Sequence, residues 1–554
     1  MTLSPGKLGE MRLCAAGLRT GRASWFFAAA AETLAVLSLV PLAAAIVGSL
    51  RVAGPDSGYA YWWGSVRGWE SLARTMAVAA PAGAAAVVLA WILVTSAVRL
   101  SPPPYVLAGA LVLASCLPLL VPSSLLATAW IVALGKQGVV AAWLRGMTGG
   151  LQIDLYSIPG AAAVTALRYF GIAALVLLYA RLRREGEWPA ARVSAVPAAS
   201  AALHLGLRAD ARPALAAWLL VTLFSMNDHI IPGMLLVSTY GTQVLIQYSA
   251  LLDPAGAAAL ATPMAAVGAA MMAATVLVGP PVRRAGSATA EPAGAPALRT
   301  GGRPRGLPER VLAAVAAAAV LGAALAVPAA VLVARTESAA AVIRALANAR
   351  DQVWQTVWVA SAGAALATVA AAALAHHWAA QQRMGARSAV PLVLLNLAVP
   401  PSLLGIGMIE LFQHAPPGVR DSSVPLILGC AVRFVPVAVL LLYALWRKEP
   451  PDAALAARVH GAPEWRIIWR PRRAVVAAAA LLAAILIMTD LEISILLAPP
   501  GGSTLGVRLY TLIHTAPDAM VSALALGILA VTAPVILILV LAAALRRTGR
   551  AGVP

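Results

Sequence analysis

Long apolar stretches alternate along the chain with short polar segments that contain charged residues, proline and glycine. A helix needs about 20 apolar residues to cross a bilayer, and a helix that is apolar all round belongs in one. The pattern therefore predicts an all-α membrane protein with about twelve transmembrane helices, at 26–50, 76–98, 105–134, 156–180, 213–235, 256–279, 311–334, 355–375, 389–412, 424–446, 474–497 and 520–545.

Composition supports the same class of protein. Of the 554 residues, 61% are hydrophobic and 11% are charged. Soluble domains carry about 25% charged residues, and disordered chains have low hydrophobicity. The composition therefore excludes a soluble enzyme and a disordered protein.

The net charge of +19 is an orientation signal. With the N-terminus in the cytoplasm, the predicted inner segments hold 29 Lys and Arg residues and the outer loops hold 10. Such a bias is typical of multi-pass proteins, whose cytoplasmic loops are rich in Lys and Arg. We expect both termini in the cytoplasm, membrane lipid as the surroundings and no nucleic-acid partner.

The chain divides into two parts around a linker. Residues 280–310 are basic, aperiodic and rich in Pro, Gly and Ala, which is typical of a flexible linker. The predicted units are 1–279, with six helices, the cytoplasmic linker 280–310, and 311–554, with six more.

Ordered matches between the two parts indicate an internal duplication. Val121-Pro122 recurs as Val399-Pro400 at an offset of 278, and Asp228 recurs as Asp490 at an offset of 262. An even number of spans in each part gives both copies the same orientation, so we predict two parallel six-helix repeats. Four prolines should break the third span of each copy and turn it towards the protein interior, where neighbours can satisfy the freed carbonyls (Pro118, Pro122, Pro400, Pro401).

Ionisable residues within the predicted spans are the candidate functional groups, because charge inside a bilayer is costly. They are Arg168, Asp228, His229, Arg433, Asp490 and Glu492. Two interpretations stay open: these groups line a translocation path, or they pair across helices, as the recurrence of Arg168 and Asp228 at Arg433 and Asp490 suggests. No residue spacing indicates a metal site, a catalytic nucleophile or a phosphate-binding P-loop, so we expect no cofactor on this chain.

The longest predicted cytoplasmic loops, 181–212 and 447–473, occupy the same place in each repeat. One carries Pro189-Ala190-Ala191-Arg192 with Ala195, and the other carries Leu455-Ala456-Ala457-Arg458 with Gly461. This order resembles the EAA loop of ABC importer permeases, the binding-protein-dependent inner-membrane components. The motif glutamate is replaced by Pro189 and Leu455, and its glycine by Ala195, so the details of this loop depart from the family.

The resemblance extends over nearly the whole chain and points to a subgroup. Asn227-Asp228-His229-Ile230-Ile231-Pro232 and Thr489-Asp490-Leu491-Glu492 are similar to stretches of fused ferric-iron-type permeases. The resemblance implies the type I ABC importer permease fold in a bacterial inner membrane, with coupling helices at both loops. It also implies two copies of a separate ABC ATPase subunit that uses ATP, and a periplasmic or extracellular substrate-binding protein.

Several alternatives remain open at this stage. Ferric iron is the substrate that the resemblance favours, while thiamine, polyamines and oxyanions are further possibilities. A different class, the ion-coupled secondary transporter, would require acidic or polar groups in broken helices near the midplane. A membrane-embedded enzyme is disfavoured because no catalytic constellation is found.

Overall fold

The structure is a computed structural model that describes residues 39–51, 59, 66–100, 106–135, 138–150, 154–184, 198–278, 307–383, 390–446, 464–513 and 515–550. Within these residues the regular elements are all helical and no strand occurs. The two coupling-loop motifs and most of the linker lie outside the described residues.

The part of the chain before the linker contains ten described α-helices and one 3₁₀ turn, Leu117–Leu120. The helices are α1 (Val40–Arg51), α2 (Val66–Leu100), α3 (Val106–Ala114), α4 (Ser123–Leu134), α5 (Val139–Thr148), α6 (Ile158–Arg184), α7 (Ala198–Asn227), α8 (Ile230–Met234), α9 (Tyr240–Ser249) and α10 (Pro254–Val278).

The part after the linker contains twelve described α-helices, with a π-helical turn at Gly322–Ala326 between the first two. They are α11 (Leu307–Leu321), α12 (Val327–Arg335), α13 (Ala339–Asn348), α14 (Arg350–Arg383), α15 (Val390–Ala398), α16 (Pro401–Phe412), α17 (Pro417–Arg420), α18 (Val424–Trp446), α19 (Glu464–Met488), α20 (Glu492–Leu497), α21 (Leu505–Ile513) and α22 (Asp518–Arg550).

Six helices in the described part of the chain are long and apolar enough to cross a membrane: Gly68–Leu100, Ile158–Leu182, Pro254–Val278, Leu307–Arg335, Arg350–Trp378 and Val424–Ala444. A bent pair, Leu107–Leu120 with Ser123–Leu134, raises the number to seven if it counts as one span. The chain is therefore an α-helical multi-pass membrane protein by length and composition. The count of twelve spans stays a prediction.

The predicted breaks at proline are present. The two segments of the third span, which flank Pro122, meet at an angle of 94°. In the second part α15 ends at Ala398 and α16 begins at Pro401. Most residues of α4 and the first two turns of α16 are buried, so both helices face the protein interior, as the sequence predicts.

Other predicted boundaries are wrong. The expected continuous spans 213–235 and 474–497 are each broken at an aspartate, between α7 and α8 and between α19 and α20. The segments expected to be outer loops contain helices α5, α9, α13 and α21, and α11 begins at Leu307, within the predicted linker. Short amphipathic helices lack the long apolar run on which the assignment of spans was based.

In each part, the helix that carries Arg168 or Arg433 packs against at least two other helices. Helix α6 packs against α2 and α7, while α18 packs against α14 and α19. Contacts also cross between the parts, because α1 packs along α16 and α12 packs along α4. The first predicted span of each part, which is α1 in one and α11 with α12 in the other, therefore lies against the broken third span of the other part.

The crossing of α1 and α16 depends on a close backbone approach at Gly407, where the carbonyl oxygen of Pro41 leaves no room for a Cβ atom. We expect Gly407→Ala to destabilise the protein by about 1–3 kcal/mol, as overpacking typically does. Thermal unfolding in detergent measures the effect. The control is Gly418→Ala, since Gly418 has open space around it. Equal unfolding temperatures for both variants would show that α1 does not approach α16 this closely.

Candidate functional site

Asp228 ends one helix and begins the next. Helix α7 stops at Asn227, and Asp228 Oδ1 accepts hydrogen bonds from the backbone N–H groups of Ile230 (3.1 Å) and Ile231 (3.3 Å) in α8. The first N–H groups of a helix have no partner within the helix and need an external acceptor. Because the carboxylate supplies one, the span breaks at this residue.

The second carboxylate oxygen of Asp228 faces helices α4 and α6. Oδ2 accepts hydrogen bonds from Ser123 Oγ (3.1 Å) and from the Tyr169 hydroxyl (3.0 Å), and Arg168 Nε lies 3.6 Å away. The Asp228 side chain is only 3% exposed. A buried carboxylate is tolerated when it is paired and hydrogen-bonded, and Asp228 meets both conditions.

Arg168 also donates hydrogen bonds to backbone carbonyls of the broken third span. Its Nη1 donates to the carbonyl oxygen of Pro118 (3.3 Å), within the 3₁₀ turn, and to that of Val121, just after it. The Pro118 carbonyl also accepts the backbone N–H of Val121 (3.4 Å), whereas the Val121 carbonyl lies at the bend, where a protein interior must satisfy carbonyls that lose helical partners. One guanidinium therefore joins two helix breaks, in the third and fifth predicted spans.

The second part has a similar contact between an arginine and the aspartate at a helix break. Asp490 Oδ2 accepts from the backbone N–H of Ile493 (3.1 Å) at the start of α20, and Arg433 Nη1 lies 3.2 Å from Asp490 Oδ1. Arg433 Nη2 additionally donates to Glu492 Oε2 at 2.7 Å. The structure thus pairs each arginine of the predicted set with the aspartate of its own part of the chain.

The two arrangements meet where the two parts of the chain touch. His229 Nδ1 lies 3.5 Å from Glu492 Oε1, and both side chains are 8% exposed. The structure therefore brings the six sequence-predicted charged residues together with Tyr169, which sequence reasoning missed. We call these seven residues the buried charge cluster (Arg168, Tyr169, Asp228, His229, Arg433, Asp490, Glu492).

A second repeated contact involves residues that the sequence analysis did not select. The backbone N–H of Tyr240 donates to Thr75 Oγ1 at 2.8 Å, and that of Leu505 donates to Thr356 Oγ1 at the same distance. Thr75 lies in α2 and Thr356 in α14, and they accept the first N–H groups of α9 and α21, the helices that follow α8 and α20. A comparison of the two parts at the spacing of these helices would have revealed both threonines.

Further polar contacts lie beside the predicted coupling loops. Arg181 donates to Asp210 Oδ2 (2.7 Å) and to Thr95 Oγ1 (2.9 Å), which ties together α2, α6 and α7. Arg472 contacts His376 Nδ1 (3.0 Å) and lies 4.6 Å from the Trp446 ring centre, which ties together α14, α18 and α19. The loop motifs themselves, Pro189–Ala195 and Leu455–Gly461, fall outside the described residues.

Comparison with known proteins adds no relative. No protein-family model matches the chain, and neither a curated protein nor a solved structure matches it. Among the described residues, no group of three or more His, Cys, Asp and Glu side chains could hold a metal ion. The function must therefore be argued from the buried charge cluster and from the arrangement of the helices.

Removing one charge from the cluster should be costly. We expect Asp228→Asn to destabilise the protein by about 3–5 kcal/mol, because Arg168 would keep a buried charge without its counter-ion. Thermal unfolding of the detergent-solubilised protein measures this loss. The control is Glu70→Gln, which breaks the Arg74–Glu70 pair, whose side chains are 54% and 58% exposed. That change should cost less than about 1 kcal/mol, and equal losses would contradict the structural role of Asp228.

Proposed function

We propose that this chain is the transmembrane permease of an ATP-driven importer of the ABC class, with two permease repeats fused into one polypeptide. The observation that carries the proposal is the recurrence, in the same order, of broken helices, arginine–aspartate pairs and connecting segments in the two parts. Paired permease repeats of equal orientation are what the sequence resemblance implies, and ATP hydrolysis belongs to a separate subunit.

The order of elements supports two repeats of six spans. The first repeat comprises α1, α2, α3 with α4, α6, α7 with α8, and α10. The second comprises α11 with α12, α14, α15 with α16, α18, α19 with α20, and α22. Each fifth span breaks at the aspartate that pairs with the arginine of the fourth span. Independent origins would not place the same contacts at the same steps, so duplication is the simplest explanation.

The contacts between the parts support a path between them. Helix α1 packs against α16, and α12 packs against α4, so the first span of each repeat contacts the broken third span of the other. The buried charge cluster lies at their junction through His229 and Glu492. We infer that substrate crosses between the two repeats and that access alternates as the repeats move against each other.

The coupling to ATP is assigned to the loops after α6 and α18. Both loops follow helices whose ends are tied to two neighbours, through Arg181 in one repeat and Arg472 in the other. Through these contacts, a movement of either loop would be transmitted to three helices. In this proposal two ATPase subunits dock beneath the loops, and an outer substrate-binding protein delivers the substrate. Ferric iron is the favoured substrate, with thiamine, polyamines and oxyanions as alternatives.

The association with an ATPase can be tested directly. We expect the detergent-solubilised protein to co-purify with an ABC ATPase subunit, and the variant Ala456→Glu/Ala457→Glu to lose it. A charge introduced into the small-residue surface of the loop would block close docking. The matched control is Ala339→Glu/Ala340→Glu on exposed residues of α13, which should retain the subunit. Loss in both variants, or in neither, would contradict the assigned coupling loop.

One observation favours a second candidate, the ion-coupled secondary transporter. Asp228, Asp490 and Glu492 are buried carboxylates at the breaks of broken helices, which is where such transporters bind their coupling ions. The protein would then work without an ATPase. This candidate does not explain the EAA-like loops, so it ranks second.

Reconstitution separates the two candidates. Purified protein in liposomes without an ATPase should show no uptake driven by a proton or sodium gradient if the importer proposal is right. The candidate substrates are tested as labelled solutes, with empty liposomes as the control. Gradient-driven uptake that disappears in Asp490→Asn would favour the secondary transporter and refute the importer.

A further inference from the structure

The charges of the buried cluster do not balance unless a proton is bound. Arg168 and Arg433 contribute two positive charges, while Asp228, Asp490 and Glu492 contribute three negative charges when all are ionised. Each of the three carboxylate side chains is 8% exposed or less. With a neutral His229, the cluster carries one excess negative charge inside a membrane protein. Excess charge in such a place is costly, and one proton removes it.

We propose that His229 and Glu492 form a proton-binding site at the contact between the two parts of the chain, and that this pair holds one proton at neutral pH. The proton comes from water and lies between His229 Nδ1 and Glu492 Oε1, which are 3.5 Å apart. Either nitrogen or oxygen carries it, and the other accepts the hydrogen bond. The cluster then has no net charge in both arrangements.

The other two carboxylates each accept at least one backbone N–H group. Asp228 accepts two backbone N–H groups and the hydroxyls of Ser123 and Tyr169, and Asp490 accepts the Ile493 N–H and pairs with Arg433. Hydrogen bonds donated to a carboxylate stabilise its charge.

Glu492 differs from both aspartates, because no backbone N–H group among the described residues donates to its side chain, which faces Arg433 and His229. The Nε2 atom of His229 is buried and has no hydrogen-bond partner among the described residues. The charged and titratable groups facing the pair are Asp228 beside His229, Arg168 and Tyr169 from α6, Arg433 from α18, and Asp490 beside the start of α20. The excess proton therefore belongs at the carboxylate that has no backbone donor and has a histidine beside it.

This site is particular to the junction and is not part of the repeated arrangement. At the offset that relates Asp228 to Asp490, His229 corresponds to Leu491 and Glu492 corresponds to Ile230. Each repeat thus contributes one of the two groups, and neither repeat could form the pair alone. Loss of the proton would leave the excess charge and weaken a contact between the repeats. The proposal stands whether transport is driven by ATP or by an ion gradient.

The pH dependence of stability tests the site. Above about pH 7.5 nearly all unfolded chains have both groups unprotonated. The folded protein would still hold one proton, so its unfolding constant should rise about tenfold per pH unit relative to a variant without the site. Glu492→Gln is that variant, because two positive and two negative charges remain. We therefore expect unfolding temperature to fall more steeply with rising pH in the wild type than in Glu492→Gln.

Two further variants sharpen the comparison. His229→Gln should keep the steeper pH dependence, because Glu492 still needs the proton. Glu410→Gln is the matched carboxylate control, since Glu410 bonds to Gln413 and is not in the cluster, and it should behave like the wild type. Equal pH dependence in the wild type and Glu492→Gln would overturn the proposal.

A measurement on the wild type alone covers the case in which the variants fail to fold. At about pH 8 an ordinary glutamate is ionised and an ordinary histidine is neutral. Infrared spectra with isotope-labelled Glu, together with nitrogen NMR spectra with labelled His, should show one protonated glutamic acid or one imidazolium at this pH. The absence of both signals in folded protein would overturn the proposal.

Discussion

The structure depends on the pairing of a guanidinium with a carboxylate at a point where two helices are broken. Inside a bilayer, a broken helix leaves backbone groups that water cannot reach, and each unsatisfied group costs several kcal/mol. Asp228 supplies the acceptor that α8 requires, and Arg168 supplies a donor to the Val121 carbonyl at the bend of the third span and a second donor to the Pro118 carbonyl. The two side chains also neutralise each other. One ion pair therefore makes both breaks possible and fixes α4, α6, α7 and α8 around a single buried point.

An arginine–aspartate pair at a helix break occurs in both parts, and its differences lie at the contact between the two parts. Arg433 pairs with Asp490 as Arg168 pairs with Asp228, but Arg433 also binds Glu492, which has an isoleucine at the corresponding position of the first part. A feature common to both parts satisfies the fold of each part. His229 and Glu492 each occur in one part only and contact each other at the junction, so they contribute to the contact between the parts. The additional acidic and imidazole groups therefore concern the assembly of the two parts more than the fold of either.

Much of this arrangement could be predicted from the sequence, because apolar length and arginine spacing are local properties. The breaks at Pro122 and Pro400 followed from the lack of an N–H group in proline, and the candidate charges followed from the cost of charge in a bilayer. The breaks at Asp228 and Asp490 could not be predicted in this way. A buried aspartate at a helix break needs both the backbone N–H groups that follow it and a nearby cation, and the two arginines lie on helices remote in sequence. The contacts of Tyr169, Thr75 and Thr356 could not be predicted either, because their partners are also remote in sequence.

The side-chain contacts beside the two predicted coupling loops occupy matching positions but differ in chemistry. Thr95, Arg181 and Asp210 correspond to His376, Trp446 and Arg472 by the spacings that relate Thr75 to Thr356, Arg168 to Arg433, and Asp228 to Asp490. Three helices meet at the same three positions in both parts, yet one contact is an ion pair and the other is an arginine over an aromatic ring. Each guanidinium also makes a directed contact with the long helix of its own part, Arg181 with Thr95 Oγ1 (2.9 Å) and Arg472 with His376 Nδ1 (3.0 Å). The same three helix positions are thus joined in both parts, by different side-chain chemistry.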